Sequence, residues 1–295
     1  MSYPWRRIVV PTDFSTAAEW AFDYAVNMAG STGAELLILH VRMTRTSNPS
    51  ELRFPADPSV YEYAEQAELE SLRDRARRLN GTVQARMVVR QAPDPGAEIC
   101  RTASEENADL IVIATHARHH VAHLIVGSTT LEVLSSPPAP VLAVRYGIRR
   151  RGAMRRIVVA MDAHEGSFAA VDLAAAVATR ESSEMHLVSV SSGTDSNELD
   201  EFLADAAREH GGGRSVVTST LEGKDVEREL IRYADQIEAD LIVLLHDRRQ
   251  SVRSSDPEAQ IGPIIDGILR KVDIPVLLVP RPESQPAKPA GRAEL

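Results

Sequence analysis

The sequence predicts an α/β protein made of two tandem, doubly wound domains, each built on a five-stranded parallel sheet. Three observations lead there. Short β-branched runs alternate with amphipathic helical stretches, the pattern of a parallel sheet with crossover helices. The whole series occurs twice within 295 residues. An apolar fraction of 43% suits a chain that buries a core.

The repeat is read directly. "RRIVVPTDFSTAAEWAFDYAVNMAG" at Arg6 returns as "RRIVVAMDAHEGSFAAVDLAAAVAT" at Arg155. "ELLILHV" returns as "EMHLVSV", "ADLIVIATHAR" as "ADLIVLLHDRR", and "APVLAV" as "IPVLLV", in the same order. Four ordered matches mean a duplicated domain. The Gly- and Arg-rich "YGIRRRGAM" is the seam, giving domains at 1–147 and 148–282, and the Pro/Ala-rich tail 283–295 is expected to be disordered.

In the first copy "RIVVPT" reads as a buried strand bounded by Pro11 and Asp13. A helix follows, with Thr16 and Glu19 placed as a capping box and Ala18, Ala21, Phe22, Ala25, Val26 and Ala29 on one face. "AELLILHV" is the second strand. "EYAEQAELESLRDRARRLN" is a charged helix with Leu69, Leu72, Ala76 and Leu79 inward. "TVQARMVVR" is the third strand. Asp94 caps the next helix, with Pro95 at its first position, where a missing N–H does no harm. "ADLIVIAT" is the fourth strand, "STTLEVLSS" a short helix and "APVLAVRY" the fifth strand. In the second copy strands fall near 156–161, 184–190, 214–220, 240–246 and 275–280.

Open parallel sheets bind ligands beyond the carboxyl ends of their strands, where the winding reverses. Asp13 follows the first strand, and "ATHARHHVAHLIVGST" follows the fourth. "GST" at Gly127, Ser128 and Thr129 opens a helix whose free N–H groups, with two hydroxyls, make an anion cradle. Taken singly, Ser128 also reads as an ordinary N-cap and Asp13 as a turn residue. Their convergence at two ends of one sheet favours a site.

At these residues the chain resembles the universal stress protein A family in a tandem form, a Rossmann-like fold, over nearly all of 5–145 and 154–280. The nucleotide-binding members carry G-x2-G-x9-G-[ST]; here Ala114, Ala117 and Gly127-Ser128 stand in that register. The resemblance places Pro11, Thr12 and Asp13 of "VPTDFS" at the nucleotide-associated turn, Val41 of "LHV" at the adenine contact and His116 in the loop of the motif, so His116 and the cradle's Thr129 join the candidate nucleotide-binding residues. It implies ATP or another adenine nucleotide as ligand, with or without Mg2+, and a stress-response regulator rather than an enzyme, with at most slow incidental ATP hydrolysis. Both early glycines of the motif are alanine here. Alanine keeps the backbone donor, but a left-handed backbone at either position costs about 1–2 kcal/mol, and a methyl limits approach to a phosphate.

The second copy departs further. Gly262 takes the place of Gly127, Pro263 that of Ser128, Leu245 and Arg248 those of Ala114 and Ala117, and Asp247 that of His116. Proline removes a hydroxyl and an N–H. Asp162 alone persists, so this half is not expected to bind nucleotide in the family's manner.

Four of nine histidines crowd the quoted stretch. A zinc site takes about four ligands, usually from separate elements. The run holds no acidic or thiol ligand. A metal set of His116, His120 and His123 therefore ranks below solvated or phosphate-facing imidazoles, one of which, His116 or His120, gains charge beside a phosphate on partial protonation. His40 ends the second strand and reads as core or pocket wall.

Net charge is −9, which argues against a nucleic-acid partner. "MSYPWRRIVVPTDF" has no long apolar run of a signal peptide, and no segment approaches a membrane span. The single Cys100 excludes an intrachain disulfide, fits a reducing cytoplasm and reads as a buried thiol. No nucleophile–base pair or Walker loop is present. "PVLAV" and "PVLLV" are apolar last strands whose edges are expected to pair the two halves within one chain, leaving a homodimer of chains open. The alternative to nucleotide binding is a nucleotide-independent scaffold for a protein partner that the sequence does not name.

Overall fold

The computed structural model describes residues 5–44, 58–79, 81–115, 126–147, 154–162, 167–193, 196–213, 215–246 and 261–281. The first half runs β1 (Arg7–Thr12), α1 (Thr16–Thr32), β2 (Glu35–Met43), α2 (Pro58–Leu79), β3 (Ala85–Ala92), α3 (Pro95–Glu105), β4 (Leu110–Ala114), α4 (Ser128–Ser135) and β5 (Val141–Val144). The second half runs β6 (Arg156–Ala160), α5 (Phe168–Glu181), β7 (Glu184–Ser191), α6 (Ser196–His210), β8 (Val216–Glu222), α7 (Val226–Gln236), β9 (Leu241–His246), α8 (Pro263–Lys271) and β10 (Val276–Pro280).

These strands form one sheet in the order β3-β2-β1-β4-β5-β10-β9-β6-β7-β8. Within each half all pairings are parallel. The halves meet where β5 and β10 pair antiparallel, with Leu142 opposite Leu277. Each last strand thus covers the other's apolar edge, as expected from "PVLAV" and "PVLLV". Arg145 clasps the same joint, donating to the Val272 carbonyl at 3.2 Å and to Asp273 at 3.0 Å.

The strands are apolar on both faces because helices cover both. Alternate residues point to opposite sides. Ile8, Val10, Leu36 and Ile38 pack with Phe22, Leu72, Ala174 and Leu203. Val9, Leu37, Leu39 and Ile111 pack with Ile99, Leu134, Leu230 and Ile268. Helices α1, α2, α5 and α6 therefore cover one face, and α3, α4, α7 and α8 the other. Both layers run unbroken across the β5–β10 joint.

The duplication extends to a polar tie. Asp109 Oδ2 accepts the Arg6 and Arg7 amides, each at 2.8 Å. Asp240 Oδ2 accepts those of Arg155 and Arg156 at 2.9 and 3.1 Å. Each carboxylate joins the start of one strand to the turn before its neighbour.

Three readings are corrected. Helix α1 is capped by Ser15, whose Oγ accepts the Ala18 amide at 3.2 Å. Thr16 is its first helical residue, and Glu19 bonds Arg75 at 3.1 Å instead of closing a capping box. Strand β3 starts at Ala85, because the Thr82 and Val83 amides turn back to the Leu79 carbonyl. Strand β8 likewise begins at Val216, later than the sequence pattern placed it. The Asp94 cap stands, with Oδ1 accepting from Ala97 at 3.1 Å and Pro95 leading the helix. The tail 283–295 lies outside the described residues.

Candidate functional site

The winding reverses at β1, which has β2 on one side and β4 on the other. β1 stays paired with β2 up to Thr12–His40, but with β4 only up to Val9–Ile111. Beyond Val9 the β1–β4 ladder stops, which opens the crevice such sheets offer to ligands.

On the β1 side, Pro11 is buried, Thr12 half-buried and Asp13 exposed. The turn is tightly specified. Asp13 Oδ1 accepts the Ser15 amide at 3.0 Å, and Thr12 Oγ1 accepts the Phe14 amide at 3.1 Å. Phe14 takes a left-handed backbone, φ 62°, and its ring lies 4.4 Å from that of His40. A non-glycine residue in that region carries strain and stands where surroundings over-determine it. His40 is part of this wall. Its Nδ1 lies 2.9 Å from the Thr12 carbonyl, and its Nε2 lies 3.3 Å from Glu65 Oε1, which also accepts Arg42 Nε at 2.6 Å. Val41 sits one residue further along β2, half-buried.

On the β4 side, Ala114 ends the strand. Ala114 is not among the residues with positive φ, so the left-handed penalty foreseen for an alanine does not arise there. Two bonds tie the start of α4 to this strand end. The Gly127 amide donates to the Thr115 carbonyl at 3.1 Å, and Thr130 Oγ1 donates to the Ala114 carbonyl at 2.7 Å.

Gly127, not Ser128, is the N-cap, at φ −64° and ψ 146°, and among the described residues no side chain caps the helix. Ser128 is exposed at the first helical position and Thr129 is half-buried after it. An α-helix start leaves its first amides without intrahelical partners, and they carry the positive end of the helix dipole. Among the described residues no side-chain oxygen caps this start.

The structure therefore gathers Pro11, Thr12, Asp13, Ala114, Gly127, Ser128 and Thr129 at neighbouring strand and helix ends, with Val41 on the flanking strand. His116, Ala117, His120 and His123 lie outside the described residues. Among the described residues no group of three or more His, Cys, Asp or Glu side chains could hold a metal ion.

Behind the cradle, α4 is braced against α3. Glu132 stands beside Asp94 across that contact. Burial, and then the neighbouring Asp94, push the Glu132 carboxyl up to about 7, while the bond with Glu132 lowers Asp94. Cys100 lies in the same contact. Burial first, then the two acids, push its thiol up to about 11, which keeps it an inert packing group.

The second half has a defined cavity at the corresponding place, about 220 Å³, between the ends of β6, β7 and β9 and the starts of α7 and α8. An open hollow against β3 lies elsewhere, and two of its arginines are engaged, Arg77 by Asp74 and Arg86 by Glu35 and Glu106.

The chain is a doubly wound α/β protein with a helix start beside its winding reversal, the place where ligand-binding members of that class hold their ligands. The chain belongs to the universal stress protein family, whose model matches residues 4–145 and again 154–280. It is similar to a universal stress protein from Archaeoglobus fulgidus DSM 4304, with a TM-score of 0.73 and 21% identity over 94% of this chain and 99% of that one. A second solved relative, from Pseudomonas aeruginosa UCBPP-PA14, has a TM-score of 0.64 and 17% identity over 94% and 93%. These two likenesses speak for the fold. In sequence, a universal stress protein relative from Staphylococcus aureus (strain USA300) is 29% identical over 150 residues, 48% of this chain and 84% of its own. Among the described residues no helix is long and apolar enough to cross a membrane.

Proposed function

We propose that the first half binds an adenine nucleotide, ATP or a product of it, and that the protein acts as a stress-response regulator by being occupied or empty rather than by catalysis. One observation carries this reading: the start of α4 has no side-chain cap among the described residues and is tied to the end of β4, beside β1, which Asp13 follows. Unpartnered amides at a helix start suit phosphate oxygens, and the Ser128 and Thr129 hydroxyls add donors. Asp13 accepts only when ionised, so it suits a ribose hydroxyl or a magnesium ion rather than phosphate itself. Val41 on β2 takes the base side.

The test is calorimetric titration of the whole chain with ATP, ADP and AMP, with and without Mg2+. One binding site per chain is expected, lost in Asp13→Ala and in Ser128→Pro, which copies the second half. Absence of heat, together with no nucleotide carried through purification, leaves the protein as a nucleotide-independent scaffold of the same fold.

A further inference from the structure

The two halves offer the same crevice lined with opposite chemistry. Where the first half enters its helix with Ser128, Thr129 and Thr130, the second has Pro263, Ile264 and Ile265. Met161 stands for Thr12, and Leu245 for Ala114. Every hydroxyl of the first crevice named here has become a methyl-bearing or cyclic side chain.

The backbone changes with them. Gly262 enters α8 at φ 80° and ψ 153°, a conformation open to glycine, whereas Gly127 enters α4 at φ −64° and ψ 146°. Pro263 supplies no N–H at the first helical position. This helix start keeps the Ile264 and Ile265 amides but offers an anion no hydroxyl and one amide fewer than α4 does.

The carboxylate is the exception. Asp162 follows β6 as Asp13 follows β1, lines the cavity and is exposed. The buried hydroxyl of Ser167 donates to its Oδ1. No lysine, arginine or histidine is among the described residues that line this cavity. The walls are otherwise aliphatic, including Val188, Val190, Leu230 and Leu244. Ile264 at the mouth is 40% exposed and adds apolar surface at the entrance.

We infer that this second crevice binds a small apolar amine, an ammonium group on one ring or a short branched chain, with the hydrocarbon among the aliphatic walls and the charge at Asp162. A carboxylate that is the single charged group among the described residues lining an apolar cavity repels phosphates and attracts a cation. A charge-assisted hydrogen bond to it is stronger than a neutral one. The cavity volume, about 220 Å³, falls below the roughly 300–1,000 Å³ of drug-sized sites, which limits the ligand to about one ring and a short chain. The inference does not rest on nucleotide binding by the first half.

The test uses the full chain with phenethylamine as probe, beside its neutral counterpart 2-phenylethanol and the anion phenylacetate, read by calorimetry and by the melting temperature. Phenethylamine is expected to bind and raise the melting temperature, with 2-phenylethanol about tenfold weaker and phenylacetate silent. Asp162→Asn brings the amine down to the level of the alcohol, Leu245→Trp fills the cavity and removes both, and Asp13→Asn changes neither. Equal binding of amine and alcohol, an equal loss in Asp13→Asn, displacement by ATP, or no binding by any probe overturns the inference. Asp162→Asn, at an exposed position, decides the question even if Leu245→Trp does not fold.

Discussion

Gly96 and Glu132 stand so close across the α3–α4 contact that a Cβ on the glycine would lie 2.5 Å from Glu132 Oε2. The second half makes the same contact with the partners exchanged. Glu227 on α7 occupies the place of Gly96, and Gly267 on α8 that of Glu132, again with no room for a Cβ. Glycine on one helix admits the carboxylate of the other. What differs is the neutralising group, since Glu227 has Lys271 Nζ at 2.5 Å, whereas Glu132 has the acid Asp94.

That difference sets a pH dependence. The folded-state pKa of Glu132 lies near 7, above its ordinary 4.5. Between those values the folded chain holds a proton that the unfolded chain releases, so this group's contribution is full below about 4.5 and lost as pH rises towards 7. Asp94 acts in the opposite sense, its lowered pKa adding stability that disappears on acidification below 3.8. The melting temperature of Glu132→Gln is expected to fall less between pH 5 and pH 7.5 than that of the native chain. Identical slopes would refute the shared-proton account.

Thr130 holds the proposed cradle to β4 through the Ala114 carbonyl. Replacing it with valine keeps the shape, removes the donor and leaves a carbonyl without it, at a cost of about 1 kcal/mol. Thr130→Val should also weaken nucleotide binding severalfold, while Thr130→Ser restores both properties. Full affinity in the valine variant would show that this tie does not set the cradle.

Leu142 and Leu277 face each other across the joint, each only 2% exposed. Leu277→Ala is expected to lose about 2–5 kcal/mol. Because the sheet and both apolar layers are continuous, scanning calorimetry should show one transition for both halves. Two separate transitions in the native chain would contradict a shared core.

Cys100 is expected to react with iodoacetamide at pH 8 about a hundredfold more slowly in the native chain than in urea, since burial withholds the thiolate. Equal rates would place the thiol at the surface.

Much of the fold was legible because its strands are β-branched runs and its repeats supply an internal check. Asp94-Pro95 announces a helix start by its chemistry alone. The start of the first helix is ambiguous by one residue in the sequence because Ser15 and Thr16 are both capping residues. The choice between them is made by the left-handed turn at Phe14, which precedes Ser15 in extended backbone at φ −72° and ψ 155°. At the candidate site, Asp13, Gly127 and Ser128 could be paired in advance from strand ends. Glu65 could not, since its reach to His40 depends on the rotation of α2 against the sheet. Nor could Thr130, whose hydroxyl reads as a surface helix residue until β4 is placed beside it. The Gly96–Glu132 exchange was present in the letters but acquires meaning only when the helices are packed.

Fusing β5 to β10 within one polypeptide makes the association of the halves independent of protein concentration, because each is held at a fixed effective molarity near the other. It also releases them from identity. In an assembly of identical chains, any substitution appears in every copy. Here Ser128 can stay a serine while its counterpart becomes Pro263, so a single molecule carries two unlike crevices under one continuous sheet.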